Sequence, residues 1–238
     1  MYKNKNIIVT GASRGVGFEI ACHFLKNGAN VIGLSRSNGS IKNLNYKHYS
    51  VELGDPNSIV SCFKNNISKD FKKIDIVINN AAVMTSQFSM ITPIKNVMDM
   101  LNVNLLGVFM VSREAAKLMR GKDSGRIINI GSMASSLEPI GDSIYAASKS
   151  GIITLANVMA KEFSTLNITC NTLAITAIET DMLNSHSANA QIKIKEIINN
   201  LPIPRIANID DILNVIDFYS SERSSYVTAQ TIYLGGIN

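Results

Sequence analysis

Short apolar runs alternate with amphipathic segments along almost the whole chain, and this alternation constrains the fold more than any other feature. The apolar runs are mostly β-branched and carry few charges, as strands do when both faces of a sheet are covered. The segments between them place apolar residues at helical spacing. The alternation predicts βαβ units in a doubly wound, Rossmann-like α/β fold, with helices on both faces of a seven-stranded parallel sheet.

The pattern places seven strands and five helices. The strands are predicted at Ile7–Val9, Val31–Leu34, Tyr49–Leu53, Ile74–Ile78, Arg126–Ile130, Thr169–Ala174 and Thr231–Leu234. The helices are predicted at Gly17–Asn27, Asn57–Ser68, Val97–Met119, Ser143–Phe163 and Asp210–Ser221. The length suits a single domain over residues 1–238. The least regular stretch, Leu183–Ala207, is long enough to fold over a cleft as a substrate lid.

Composition narrows the functional classes. The net charge is +5, but the basic residues are scattered and form no run typical of a nucleic-acid site. The three cysteines form no CxxC pair, which indicates a reducing compartment. No apolar run approaches the roughly 20 residues of a membrane span, and the N-terminus leaves no room for a secretory signal. We therefore expect a cytoplasmic protein without a metal site, a membrane partner or a nucleic-acid partner.

A glycine-rich turn follows the first predicted strand and opens the first predicted helix. Glycine permits positive φ and close backbone approach, and a helix N-terminus offers free N–H groups to a pyrophosphate. Because the turn has the correct strand and helix on either side, dinucleotide binding is favoured over an ordinary turn. The residues assigned to the cofactor here are Gly11, Ser13, Arg14, Gly15, Val16 and Gly17.

Two arginines bear on the choice between NAD and NADP. The second predicted strand ends in Leu34-Ser-Arg-Ser37, where proteins that bind NAD usually present a carboxylate to the ribose. Here Ser35 and Arg36 stand at that position, and Arg14 projects from the glycine turn. Two guanidinium groups can bind the 2′-phosphate that a carboxylate would repel. The sequence therefore favours NADP(H).

A tyrosine and a lysine stand four residues apart in Tyr145-Ala-Ala-Ser-Lys149, so they share one face of a helix. A cation beside a phenol stabilises the phenolate and lowers the phenol pKa from about 10 toward a value useful for proton transfer. Ser132, after the apolar run Ile127–Ile130, offers a hydroxyl to the same space. Such pairs also arise by chance on solvated helices, so the interpretation depends on a redox cofactor in the same chain.

The order of these motifs resembles the classical short-chain dehydrogenase/reductase family over essentially the full chain. The residues that carry the resemblance are the Thr10–Gly17 turn, Asn79-Asn-Ala-Ala82, Asn104, Ser132, Tyr145, Lys149, Thr180-Asp-Met182 and Tyr226-Val-Thr-Ala-Gln-Thr-Ile232. Within the family, Ile178-Glu-Thr-Asp-Met182 and the chain length are most similar to the 3-oxoacyl-acyl-carrier-protein reductase type. The resemblance implies NADPH-dependent reduction of a ketone to an alcohol.

The resemblance also implies a role for each catalytic residue. Tyr145 would protonate the carbonyl oxygen as hydride arrives, and Lys149 would lower the pKa of Tyr145 and hold the nicotinamide ribose. Ser132 would hydrogen-bond the carbonyl, and Asn104 would hold a water that resupplies the proton. For Asn104 and Ser132, the alternative is that each satisfies buried backbone groups. Further cofactor contacts are implied for Glu52, Leu53, Asn79, Ala81 and Thr180.

The resemblance implies a homotetramer or homodimer, paired through the helices at about Val97–Met119 and Ser143–Phe163, with acyl carrier protein as a candidate partner. One departure bears on activity: Ala174-Ile-Thr-Ala177 stands where the family usually has Pro-Gly. The β-branched Thr176 adds bulk beside the nicotinamide and loses the conformational freedom of glycine.

Three functions stay open on the sequence. The first is a reductase of 3-oxoacyl substrates, although Asp123 makes the segment before Gly125 less basic than a carrier-protein site. The second is a reductase or dehydrogenase of a sugar or another polar metabolite. The third is an NADP-binding protein with weak or no catalysis, which the substitution at Ile175-Thr176 keeps open.

Overall fold

A computed structural model describes residues 2–121, 124–176, 178, 198–199 and 201–236. Within them, seven strands pair in parallel in the order β3-β2-β1-β4-β5-β6-β7, which confirms the predicted doubly wound sheet. The strands are β1 Asn6–Thr10, β2 Asn30–Ser35, β3 Tyr46–Ser50, β4 Ile76–Asn79, β5 Gly125–Ser132, β6 Ile168–Ile175 and β7 Thr231–Tyr233.

Within the described residues, helical elements connect the strands. They are α1 Gly15–Lys26, α2 Pro56–Cys62 with its continuation to Asp70, α3 Ile94–Met119, α4 Ala134–Leu137, α5 Ser143–Glu162 and α6 Ile209–Ser220. Both α2 and α3 contain a π-helical turn, at Phe63–Ile67 and Asn102–Gly107 respectively. Short 3₁₀ turns lie at Ser89–Ile91, Ser164–Leu166 and Glu222–Ser224.

The helices cover both faces of the sheet because successive strand residues point to opposite sides. On β1, Ile8 belongs to the apolar cluster under α2, α3 and α5, whereas Ile7 and Val9 belong to the cluster under α1 and α6. All three side chains are fully buried. This two-sided burial is why the central strands read as continuous apolar runs.

The third strand is displaced from its predicted position. It was expected at Tyr49–Leu53 but spans Tyr46–Ser50, at the edge of the sheet. Its sequence carries polar side chains at exposed positions, and Tyr49 alone is buried there. The apolar pattern continues past the strand because Val51 and Leu53 are also buried, in the cluster under α2 and α3. The apolar pattern therefore predicted the strand too far along the chain, because it follows buried residues that lie beyond the strand.

From the sequence we expect no apolar run that approaches a membrane span, and among the described residues one helix bears on that expectation. Helix α3, with 26 residues from Ile94 to Met119, reaches the length and mean hydropathy of a span. Its buried side includes Val111 and Met119, which pack in the core cluster beneath the sheet. The core helix of a soluble protein meets the same test, so one such helix is weak support for a span.

The strand order places a crevice at the carboxyl edge of the sheet. Connections from β1 run outward to β2 and β3 on one side, whereas β4 to β7 lie on the other. The order thus reverses between β1 and β4, and ligands of open α/β sheets bind at such a switch point. The glycine turn after β1, Asn79 on β4 and Ser132 on β5 all stand at this edge.

Candidate active site

The glycine turn is shaped by the close packing of α1 on the end of β1. A Cβ at Gly17 would lie 2.3 Å from the Gly11 carbonyl oxygen, so only glycine fits there. Gly11 and Gly15 both have positive φ, +70° and +58°. A Cβ at Gly15 would meet nothing within 4 Å, which leaves open space in front of the helix N-terminus. No side chain caps the helix at Arg14, so its first N–H groups stay available to a pyrophosphate.

The segment after β4 is fastened to the glycine turn through Thr10. The Thr10 hydroxyl accepts hydrogen bonds from the backbone N–H groups of Asn80 and Ala81, each at 3.0 Å. The Asn80 amide also donates to the Thr10 carbonyl at 3.1 Å. This contact holds the walls of the crevice together on both sides of the switch point. Sequence reasoning listed the motif but assigned no part to Thr10 or Asn80.

The two predicted phosphate-binding arginines lie on neighbouring loops. The loop after β2 packs on the glycine turn, since a Cβ at Gly39 would lie 3.0 Å from the Ser13 Cα. Arg14 and Arg36 are exposed, and in the part of the chain that the structure describes neither forms an ion pair. The Ser35 hydroxyl donates to the Ser37 carbonyl at 3.0 Å and so shapes the loop.

Lys149 and Tyr145 lie on one face of α5, beside Ser132 at the end of β5. Lys149 is 3% exposed, and its Nζ donates to the Ile130 carbonyl at 2.8 Å. The same Nζ lies 5.8 Å from the centre of the Tyr145 ring. The Ser132 side chain acts on the phenol and lowers its pKa. The structure therefore brings these three predicted side chains together.

The pKa of Tyr145 is shifted in the direction opposite to the one expected from the sequence. Burial raises the pKa of Tyr145, its hydrogen bond with Ser132 lowers it, and the charge of Asp142 raises it; the net direction is upward. Burial also lowers the pKa of Lys149 to about 8. The lowering of the phenol pKa expected from Lys149 is not among the causes of this shift, the largest of which is burial.

Asn104 is fully buried in the π-helical turn of α3 and fastens the loop that follows β4. Its Oδ1 accepts from the Val83 N–H at 2.8 Å, and its Nδ2 donates to the Val83 carbonyl at 2.9 Å. Nδ2 also donates to the Ser148 hydroxyl on α5 at 3.2 Å. These contacts match the alternative in which the side chain satisfies buried backbone groups. A π-helical turn at this position is typical of functional sites.

Three further predicted cofactor residues share one small cavity. Leu53, Asn79 and Ala81 line a space of about 10 Å³ together with Thr10. Asn79 is 2% exposed, and its Nδ2 donates to the Ser112 hydroxyl at 2.9 Å and to Asn129 Oδ1 at 2.8 Å. Asn79 thus ties β4 to β5 and α3.

The other predicted residues take different positions. Glu52 is exposed, and its Oε1 accepts from the Gly54 N–H at 3.2 Å. Thr176 is half-buried, and its methyl lies 3.9 Å from the position of a Cβ at Gly235. Thr180 lies outside the described residues, as does most of the predicted lid; of the range 183–207 the structure describes 198–199 and 201–207.

Taken together, the parallel sheet, the glycine turn at its switch point and the serine, tyrosine and lysine at the same edge define a class of protein. They are the features of an oxidoreductase that uses a nicotinamide dinucleotide. The turn fits the pyrophosphate of such a cofactor, because open space at Gly15 faces an uncapped helix N-terminus.

The comparisons with known proteins identify the family. Residues 5–191 match the family model described as short chain dehydrogenase, so the chain belongs to the short-chain dehydrogenase family. The 3-oxoacyl-[acyl-carrier-protein] reductase FabG of Salmonella typhimurium is 33% identical over 241 aligned residues, which cover 99% of this chain and 97% of that one. The reductase of the same name from Escherichia coli K12 is 32% identical with the same coverage.

A solved structure gives the same fold. The ligand-free aldohexose dehydrogenase of Thermoplasma acidophilum superposes with a TM-score of 0.89 at 26% sequence identity. The match covers 98% of this chain and 94% of that one. The chain thus resembles both the curated reductases and this dehydrogenase over nearly its full length, while the activities in their names differ.

Proposed function

We propose that the chain is an NADPH-dependent reductase that converts a ketone into an alcohol, with a 3-oxoacyl thioester as its substrate. The observation that carries this proposal is the placement of Ser132, Tyr145 and Lys149 together, at the edge of the sheet that holds the glycine turn. A proton donor and a hydride donor are the two components that carbonyl reduction needs.

Each side chain has a task that its contacts support. When bound, the nicotinamide supplies the hydride. Tyr145 is the proton donor, since burial raises its pKa and keeps it protonated at neutral pH. Ser132 lies at the end of β5 and lowers the pKa of the phenol, so we assign it a hydrogen bond to the same carbonyl oxygen. Lys149 donates one hydrogen bond to the Ile130 carbonyl, and its ammonium retains two further donors for the nicotinamide ribose.

The magnitude of this acid catalysis can be bounded. A well-placed general acid is worth roughly 10²–10⁴ in rate. The remainder of the acceleration must come from holding the carbonyl and the hydride donor together. We assign that task to the glycine turn and to the segment that Thr10 fastens beside it.

The proposed preference for NADPH rests on charge. Arg14 and Arg36 are both exposed on adjoining loops, and no carboxylate follows β2. A phosphate with two negative charges gains charge-assisted hydrogen bonds from such a pair. An NAD ribose would leave both guanidinium groups without a specific partner.

The 3-oxoacyl substrate is supported by the relatives named as 3-oxoacyl-[acyl-carrier-protein] reductases, which align over nearly the whole chain. Acyl carrier protein is accordingly the proposed carrier of the substrate. We further propose a cytoplasmic homotetramer. The proposed pairing covers an exposed apolar face of α3 that includes Ile94, Met98 and Phe109.

The test is a panel of carbonyl substrates with NADPH. An acetoacetyl thioester should be reduced, and a keto-sugar should be reduced far more slowly or not at all. The same enzyme should prefer NADPH over NADH. Binding of NADPH without turnover of any ketone would contradict the proposal and favour a binding role.

A second candidate function is oxidation or reduction of a sugar. It is favoured by the structural match to an aldohexose dehydrogenase over 98% of the chain. Turnover of an aldohexose or a keto-sugar, with no activity on the acetoacetyl thioester, would establish this function in place of the first.

A further inference from the structure

Asp142 places an enclosed carboxylate beside the proposed proton donor. The residue is 8% exposed, and its Oδ1 has no hydrogen-bond partner among the residues that the structure describes. Asp142 directly precedes α5, yet its side chain makes no capping hydrogen bond to that helix. Buried carboxylates normally accept hydrogen bonds, because an unpaired buried charge is costly. Helix capping therefore does not explain this side chain.

The residues on either side of Asp142 form hydrogen bonds with the loop that follows β4. One residue earlier, the Gly141 carbonyl accepts from the Gln87 N–H at 2.8 Å. One residue later, the Ser143 hydroxyl lies 3.0 Å from the Ser89 hydroxyl. Both contacts tie the segment to the loop that follows β4. The carboxylate is thus held at the N-terminus of α5, where the helix dipole favours a negative charge.

Two charged side chains face the Tyr145 phenol from the described elements around it. Lys149 lies on α5 itself, and its ammonium donates to the Ile130 carbonyl. Asp142 is the N-cap residue of α5, three residues before Tyr145, so both side chains belong to the first turn of the helix, and its charge raises the pKa of the phenol. From β5 the phenol meets the neutral hydroxyl of Ser132. Glu138, in the same segment as Asp142, is exposed, so water and salt screen its charge.

We propose that Asp142 is a positioning residue that keeps Tyr145 in its protonated, proton-donating form. An enclosed negative charge disfavours the phenolate through space, and the effect is strong where water is excluded. Oδ1 is buried and has no hydrogen-bond partner among the described residues, so we assign the carboxylate an action through its field on Tyr145. The inference rests on the proposed function, since a reductase needs the phenol as an acid.

The direct test is the titration of Tyr145, measured without turnover. The chain has seven tyrosines, so ¹³C labelling at the phenol carbon gives seven resonances, and the one missing in Tyr145→Phe belongs to Tyr145. Its midpoint is followed between about pH 8 and 12. In Asp142→Asn we expect the midpoint to fall to lower pH. Asp142→Ser should show the same fall, and both residues suit a helix N-cap, so folding is retained.

Two controls separate charge from structure. Asp142→Glu keeps the charge and should keep the midpoint near that of the wild type. Glu138→Gln removes an exposed carboxylate from the same segment and should leave the midpoint unchanged. The alkaline limb of ketone reduction by Asp142→Asn should move to lower pH together with the titration midpoint.

The outcomes are distinct. An unmoved Tyr145 midpoint in Asp142→Asn and Asp142→Ser would overturn this inference, whether or not the enzyme reduces ketones. A raised KM for the ketone with an unmoved midpoint would also overturn it, since that pattern indicates substrate binding. Failure of the wild type to reduce any ketone would refute the proposed function, while the titration would still decide the effect of Asp142 on the phenol.

Discussion

Lys149 Nζ lies 5.8 Å from the centre of the Tyr145 ring, yet the hydrogen bond that it donates runs to the Ile130 carbonyl at 2.8 Å. The ammonium therefore fastens α5 to β5 at the point where the proposed proton donor stands. It does so while fully buried, which lowers the pKa of Lys149 to about 8. Lys149 and Tyr145 are close together, as the sequence predicts. Burial of the charged lysine, however, lowers the stability of the folded chain.

That cost should appear in the pH dependence of stability. The folded pKa of Lys149 is about 8 and the ordinary value is 10.5, so the unfolded chain binds more protons between these values and stability rises with pH there. Relative to Lys149→Met, the free energy of unfolding of the wild type should rise by roughly 3 kcal/mol between about pH 7 and 10.5. Urea denaturation across this range measures the difference.

The control for this prediction is Lys161→Met, which removes an exposed lysine from the same helix. Its difference from the wild type should show no comparable trend. A difference between the wild type and Lys149→Met that stays flat with pH would contradict the burial of a depressed lysine.

Alanine substitutions at Gly15 and Gly17 should lower the free energy of unfolding for different reasons. A Cβ at Gly17 meets the Gly11 carbonyl oxygen at 2.3 Å, so Gly17→Ala should lower the free energy of unfolding by about 1–3 kcal/mol. A Cβ at Gly15 meets no atom within 4 Å, so Gly15→Ala should cost about 1 kcal/mol, from its positive φ.

The two glycine variants should also differ in their affinity for NADPH. The methyl of Gly15→Ala enters the space assigned to the pyrophosphate, so NADPH binding should weaken by at least about tenfold. Urea denaturation and NADPH fluorescence measure the two effects. Equal affinity of Gly15→Ala and the wild type would place the pyrophosphate elsewhere.

Arg14 and Arg36 should determine the preference for NADPH. Each Arg→Ala substitution removes a charge-assisted contact worth about 1.5–3 kcal/mol, so the Kd for NADPH should rise roughly tenfold or more. The Kd for NADH should change little, because it has no 2′-phosphate. Arg223→Ala, which removes an exposed arginine from the 3₁₀ turn after α6, is the matched control. Parallel losses for both cofactors would show that the arginines act on the fold or on the pyrophosphate.

Local patterns were sufficient to predict the strand–turn–helix around Gly11, Gly15 and Gly17, because those requirements are met within a few residues. The doubly wound sheet was predicted for the same reason, since buried parallel strands leave a clear apolar signal. The edge strand β3 was misplaced because its polar positions interrupt that signal while Val51 and Leu53, beyond it, are buried.

The features that the sequence did not predict depend on tertiary burial and on contacts between distant segments. The direction of the pKa shift of Tyr145 depends on how much water the fold removes, and a spacing of four residues carries no information on that. The contacts of Asn104 with Val83 and of Asn80 with Thr10 join segments that lie far apart in the chain. The π-helical turn at Asn102–Gly107 has no local signature that a helical pattern would distinguish.

The most direct measurement is the rate of NADPH oxidation by Tyr145→Phe with an acetoacetyl thioester. If Tyr145 is the proton donor, kcat/KM should fall by about 10²–10⁴ while the Kd for NADPH stays within a few-fold of the wild type. Tyr226→Phe, which alters a fully exposed tyrosine, should match the wild type. Retention of the wild-type rate by Tyr145→Phe would contradict the account.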